Sequence, residues 1–191
     1  MMDWNMEERM KLPIIETKRL VLKALADIDA EKLFEYRSEM ETYQYQIWKP
    51  KTLDEVKDFI KKHTQEFNIE GTWFQLGIFE KESNMLIGDF GLHFLTPGGL
   101  QVEIGITIAK GHQRKGCGQE ATKSVIEYLF KVMKKHRVIA SVDPRNTASM
   151  ALLECIGMRR EGYFKKSILI DNKWEDDVIY AILDEEIIML G

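Results

Sequence analysis

The chain has 191 residues, is 45% hydrophobic and 30% charged, and carries a formal net charge of -4. This mixture suits a single globular domain, expected over 1–191 with its core at about 12–186, and has apolar material enough to bury one. The negative balance argues against nucleic acid as a direct partner, and the charged first eleven residues lack the apolar run of a signal peptide or membrane span. Two cysteines, Cys117 and Cys155, make no disulfide framework, and no Cys/His cluster has metal-ligand spacing. The expected setting is a reducing cytoplasm without a metal.

In chain order, Arg19–Leu25 has a strand pattern. A helix is expected from Asp29 to about Met40. A second follows a capping box, Thr52-x-x-Glu55, and is expected to run to about Phe67 with Val56, Phe59, Ile60 and His63 on one face. Three strands follow, Thr72–Glu80, Met85–Phe94 and Leu100–Ile108. Turn-rich separators (Glu82-Ser83-Asn84 and Thr96-Pro97-Gly98-Gly99) predict an antiparallel meander. A hairpin centred on Gly98 would set His93 opposite Glu103. Gly118 to about Lys134 has helical periodicity, with Ala121, Val125, Leu129 and Val132 as its buried stripe. Arg137–Val142 reads as a short buried strand. Asn146 then caps a helix reaching Cys155, stopped by Gly157. The tail predicts a hairpin, Tyr163–Ile170 with Trp174–Leu183, turning at Asp171-Asn172.

The stretch Gln113-Arg114-Lys115-Gly116-Cys117-Gly118 lies between a strand and a helix. Its glycines let the backbone bend so that N–H groups converge, and the helix start adds unpaired donors and positive dipole. Such a turn suits a diphosphate. Gly111 to Gly116 has the spacing of a nucleotide P-loop, but Cys117 and Gly118 replace its lysine and hydroxyl, which argues against it. Gly116-x-Gly118-x-x-Ala121 matches a dinucleotide-binding turn literally. However, the polar insert Lys110–Lys115 separates it from its strand, and the remaining chain ends in a hairpin rather than further parallel strands.

Gln113-x-x-Gly116-x-Gly118 resembles the pyrophosphate loop of the GNAT acetyltransferase superfamily. Glu103-Ile-Gly-Ile106, Gln119-Glu120-Ala121, Val142-Asp-Pro-Arg-Asn146-Thr-Ala-Ser149, Ile156-Gly157-Met158-Arg-Arg-Glu-Gly162 and Asp177-Val-Ile-Tyr180 resemble one branch of it. So do Ile15-Glu-Thr-Lys-Arg19-Leu and Asp29-Ala30. That branch contains the ribosomal-protein N-terminal (alanine/serine) acetyltransferases. The resemblance implies a mixed α/β (α+β) GNAT fold, with a mostly antiparallel, splayed sheet and helices on both faces. It implies acetyl-CoA as co-substrate and an amine acceptor, either a protein N-terminus or a small molecule. Any link to nucleic acid would run through a ribosomal protein, and a homodimer is left open.

On this resemblance, backbone amides from Arg114 through Lys115, Gly116, Cys117 and Gly118 to Gln119 hold the diphosphate. Gln113 opens the loop, and the Arg114 and Lys115 side chains add charge. The backbone of Ile106 and Ile108 pairs with the pantetheine amides as a pseudo-strand, and Asn146 meets the same arm. Glu103 alternates away from the apolar face and sits beside Gly105, which leaves room for it to deprotonate the amine. Many relatives place a tyrosine seven positions after the asparagine. Here that position is Leu153, so Ser149 is the candidate donor to the departing thiolate. His93 and, more weakly, Asp89 are candidates for tuning Glu103. Tyr36, Tyr43, Tyr45 and Trp48 are candidates for the acceptor wall. Two alternatives remain at this stage: an acyl-CoA-binding regulator without catalysis, which Leu153 favours, and a dinucleotide-binding protein.

Overall fold

The computed structural model describes residues 12–65 and 67–190, with side chains through residue 187 except at position 66. The expectation about the first eleven residues lies outside the described part. The strands are β1 (Ile15–Glu16), β2 (Leu20–Ala24), β3 (Trp73–Glu80), β4 (Leu86–Leu95), β5 (Gln101–Ile108), β6 (Arg137–Val142), β7 (Arg159–Ile170) and β8 (Lys173–Leu183). The helices of four or more residues before the C-terminal turn are α1 (Ala30–Arg37), α2 (Met40–Tyr43), α3 (Leu53–His63), α4 (Cys117–Lys131) and α5 (Thr147–Cys155).

The eight strands form one sheet in the order β1-β2-β3-β4-β5-β6-β8-β7. Every neighbouring pair is antiparallel except β5–β6. The mixed, mostly antiparallel architecture expected from the sequence is therefore present. A dinucleotide fold needs successive parallel strands around the glycine turn. Among the described residues only β5–β6 is parallel, so that alternative falls.

Side chains alternate across a strand, and the apolar ones feed two cores. One face buries Leu22, Leu76, Phe90, Leu92, Val102 and Ile104 against α4 through Ala121, Val125 and Leu129. The other packs Leu25, Phe79 and Leu86 against α1 and α3 through Leu33, Val56 and Ile60. Burial of large aliphatic and aromatic groups of this kind contributes about 1.5–3 kcal/mol per side chain.

Several boundaries differ from expectation. The first predicted helix ends at Arg37, because Glu39 turns extended (φ -73, ψ 130) before the short α2 begins. The second ends at His63, where the Thr64 hydroxyl donates to Ile60 O at 2.8 Å. Of the residues beyond it, Glu66 lies outside the described part, and Phe67 packs edge-on against Phe74 and Phe94. Only Val56 and Ile60 of its predicted stripe are buried in the core; Phe59 and His63 face the cleft described below. The helix from the glycine turn ends at Lys131, which leaves Val132 51% exposed and buries Met133 instead. The last hairpin begins at Arg159, four residues early.

Candidate active site

The glycine turn joins β5 to α4. Arg114 (φ 58) and Gly116 (φ 79) both adopt the left-handed conformation. At Gly116 this is the conformation that L side chains avoid, and an added Cβ would stand 3.3 Å from an Arg19 nitrogen. Gly118 is already helical, so the bend rests on Arg114 and Gly116 rather than on two glycines. Glu120 is the first α4 residue whose N–H finds a helical acceptor, Gly116 O at 3.0 Å. The amides of Cys117, Gly118 and Gln119 precede it and are left for an outside acceptor, at the positive end of a 15-residue helix.

Sequence reasoning missed what holds this turn. Arg19 Nη1 donates to Lys115 O at 2.9 Å, and its Nε donates to Glu120 at 2.6 Å. Thr17 donates to the same carboxylate at 2.6 Å. Partial burial works to raise the Glu120 carboxyl, but hydrogen bonds from Thr17 and Arg19 hold it below its ordinary value. Gln113 ties the loop to the strand, its Nε2 donating to Ile108 O at 2.9 Å. Arg114 and Lys115 are exposed.

Beyond the turn, β5 and β6 pair only at Gln101–Arg137, Val102–Val138 and Glu103–Ile139. β6 meanwhile pairs with β8 along its whole length, from Arg137 to Val142. It therefore follows β8 and parts from β5 after Glu103. Ala109 N donates to Ile87 O at 2.9 Å, which fixes the phase of the β4–β5 ladder. Odd-numbered residues of β5 bond to β4, so the backbone groups of Ile104, Ile106 and Ile108 are directed at the opened gap. The Ile108 carbonyl is the one taken by Gln113. The sheet is splayed, as expected.

A cleft of about 740 Å³ runs through this opening. Glu103, Gly105 and Ile106 line it from β5, Ser141 and Val142 from β6, and Asn146, Ser149 and Leu153 from α5. Asn146 caps α5, its side chain accepting from Ser149 N at 3.1 Å. The turn residues Gln113–Gln119, and Ile108 with them, do not line it. Gly118 is nonetheless close, since a Cβ there would lie within 4 Å of Ile106, Ile108 and Leu152.

On the other side of the sheet, His93 pairs with Glu103 as the hairpin register predicted. His93 Nδ1 lies 3.2 Å from Glu103 Oε2, and the imidazole stacks on Trp73 with ring centroids 4.7 Å apart. Tyr45, Trp48, Phe59, His63 and Trp73 line this half. Trp48 and Phe59 stack 3.9 Å apart.

Two expectations are corrected here. Asp89 is fully buried and locked against Arg37 and Gln75, with the Tyr36 hydroxyl donating to it at 2.7 Å. It anchors α1 to β4 and has no opening through which to tune Glu103. Tyr36 belongs to that network rather than to the wall; burial, then the Asp89 charge, pushes its hydroxyl well above the usual range. Tyr43 also stays outside the cleft, with Lys49 over its ring at 5.9 Å.

A sheet that parts between two parallel strands, with a turn of free amides beyond the opening and polar groups inside it, is the frame of an acyltransferase. It admits a phosphate-tailed thioester edgeways. The chain belongs to the GNAT acetyltransferases: residues 19–159 match the family model for the acetyltransferase (GNAT) domain. It is 35% identical to the uncharacterized N-acetyltransferase YnaD of Bacillus subtilis (strain 168), over 90% of this chain and 98% of that protein. It is 30% identical to the [ribosomal protein uS5]-alanine N-acetyltransferase of Escherichia coli (strain K12), over 88% of this chain and 89% of that one. A crystal structure of a GNAT-family acetyltransferase from Bacillus anthracis superposes with a TM-score of 0.83 at 34% identity, covering 91% of this chain and all of that one.

Acetyl-CoA is thus the co-substrate, and the chain is an N-acetyltransferase. The free amides of the turn and the unpaired backbone of the gap fit its diphosphate and its amide-bearing arm. Among the described residues, no group of three or more His, Cys, Asp or Glu is placed to hold a metal, and no helix is long and apolar enough to cross a membrane.

Proposed function

We propose that this enzyme moves an acetyl group from acetyl-CoA directly to the α-amine of a polypeptide or to a small primary amine, with Glu103 as general base. The observation that carries this reading is the position of Glu103. It occupies the last rung before β5 and β6 part, at the closed end of the gap that opens toward the glycine turn. A thioester laid along Ile108 and Ile106 from the turn would end beside it.

The amine nitrogen attacks the thioester carbonyl. The C–N bond forms, the C–S bond breaks, and the nitrogen's proton passes to Glu103 directly or through one water. A backbone N–H near Ile106 polarises the carbonyl, and the Ser149 hydroxyl donates to the departing thiolate. The amides from Arg114 to Gln119 bind the diphosphate, each charge-assisted bond contributing about 1.5–3 kcal/mol. Asn146 holds the arm while capping α5.

An α-amine, with a pKa of about 7.7–8.0, is freed of its proton at neutral pH for only about 1–1.4 kcal/mol. A lysine-type amine near ~10.4 needs about 4.6 kcal/mol. A single partly exposed carboxylate suits the first task better, and the uS5-alanine relative points the same way.

Thiol release from acetyl-CoA, measured with peptide α-amines, lysine side chains and polyamines, tests the proposal. Release that is fastest with α-amines and collapses in the Glu103→Gln, Ser149→Ala double variant is expected. Coenzyme binding without release for any amine would overturn it.

A further inference from the structure

Three strands present a grid of side chains to the acceptor side of the sheet. The register aligns Trp73, His93 and Glu103 in one row, Gln75, Gly91 and Gly105 in the next, and Gly77, Asp89 and Thr107 in the third. Steps of two along each strand keep all nine on one face. In the first row, Trp73 and Glu103 line the cleft. In the third, Asp89 is fully buried, and Thr107 borders the cleft with its hydroxyl buried and without a partner.

The middle row differs at its two ends. Gln75 is committed to Asp89. Gly91 is roofed by Trp73, whose ring a Cβ would meet at 3.1 Å. Gly105 is exposed to the cleft, and a Cβ there would meet nothing within 4 Å. Empty space therefore stands directly over Gly105, one step along the strand from Glu103. Aromatic rings of Trp48, Phe59 and Trp73 line the same cleft, and the charge of Arg37 is already consumed by Asp89. Those rings share the lining with the Glu103 carboxylate and with Asp58 and Lys62.

Resting on the amine-acceptor reading above, we infer that Gly105 is the specificity-determining position. The group on the carbon beside the attacking nitrogen lies over Gly105, and its absent Cβ admits bulky groups that a side chain would exclude. The Gly105 backbone is not in the left-handed region, so Ala and Val fit the strand without strain. This separates the effect from misfolding.

The test uses wild type, Gly105→Ala and Gly105→Val with acetyl-CoA and tripeptide amides beginning with Gly, Ala, Leu or Phe. Thermal melts of each protein confirm the fold. The expected result is that the kcat/KM ratio of Gly-starting to Phe-starting peptide rises at least ~10-fold in the Ala variant and further in the Val variant, while the KM for acetyl-CoA holds. An unchanged ratio overturns the inference. So does an equal loss across the series that tracks the KM for acetyl-CoA, which would assign the space to the thioester. Wild type that binds acetyl-CoA but acetylates no member of the series removes the polypeptide acceptor from that reading, and the inference with it, while a small primary amine still acetylated would keep the rest.

Discussion

His93 Nδ1 lies 3.2 Å from Glu103 Oε2 on the rung where β5 last pairs with β6. The imidazole stacks on Trp73, which leaves it little freedom to turn away. The carboxylate is therefore held in one orientation at the apex of the gap.

Replacing Glu103 by Gln keeps the shape and removes the base. Turnover at pH 7 should fall by roughly 10²-fold, within the range for a lost general base. The deficit should shrink as pH passes about 8, where an α-amine sheds its own proton. Steady-state rates from pH 6.5 to 9.5 check this. A deficit constant across that range would remove Glu103 from the proton path.

The Arg37–Asp89 pair is buried beneath the acceptor half, with Asp89 fully enclosed. Asp89→Ala leaves the guanidinium without its counter-charge. A loss of about 3–5 kcal/mol is expected in urea unfolding. Because Arg37 also faces the cleft and its guanidinium lies 5.5 Å from the Trp48 ring, the acceptor KM should rise more than the acetyl-CoA KM.

Gly116→Ala forces a Cβ into the left-handed region against Arg19. The strain is about 1–2 kcal/mol, and it falls on the turn that presents the free amides. Arg19→Ala removes the same prop from behind. Both variants should weaken acetyl-CoA binding several-fold in calorimetry while kcat at saturation changes little. A loss confined to kcat would contradict the assigned role of the turn.

Burial holds the His63 imidazole below its ordinary value, with Lys62 adding to the effect. The unfolded chain then takes up a proton more readily than the folded one. The associated stability is present above about pH 6.5 and is lost as pH falls through the depressed folded value. His63→Gln should flatten the fall in urea midpoint between pH 7.5 and 5. The carboxyls of Glu120 and Asp143, also held low, act at more acidic pH.

Short-range pattern fixed a great deal of this protein. Alternation named β3, β4 and β5, and the turn at Gly98 placed His93 opposite Glu103. The cap at Asn146 was equally local, its acceptor and donor lying three residues apart, and so was the glycine turn at the start of α4. What no window of sequence held is how distant groups meet. Arg19 reaches Glu120 across 101 positions and Arg37 reaches Asp89 across 52, and both pairings depend on which faces the elements stack. The gap itself arises from competition, because β6 stays with β8 for six residues and with β5 for three. The open space over Gly105 follows from that parting and from rings brought together from before α3, from α3 and from β3, so only the assembled sheet decides it.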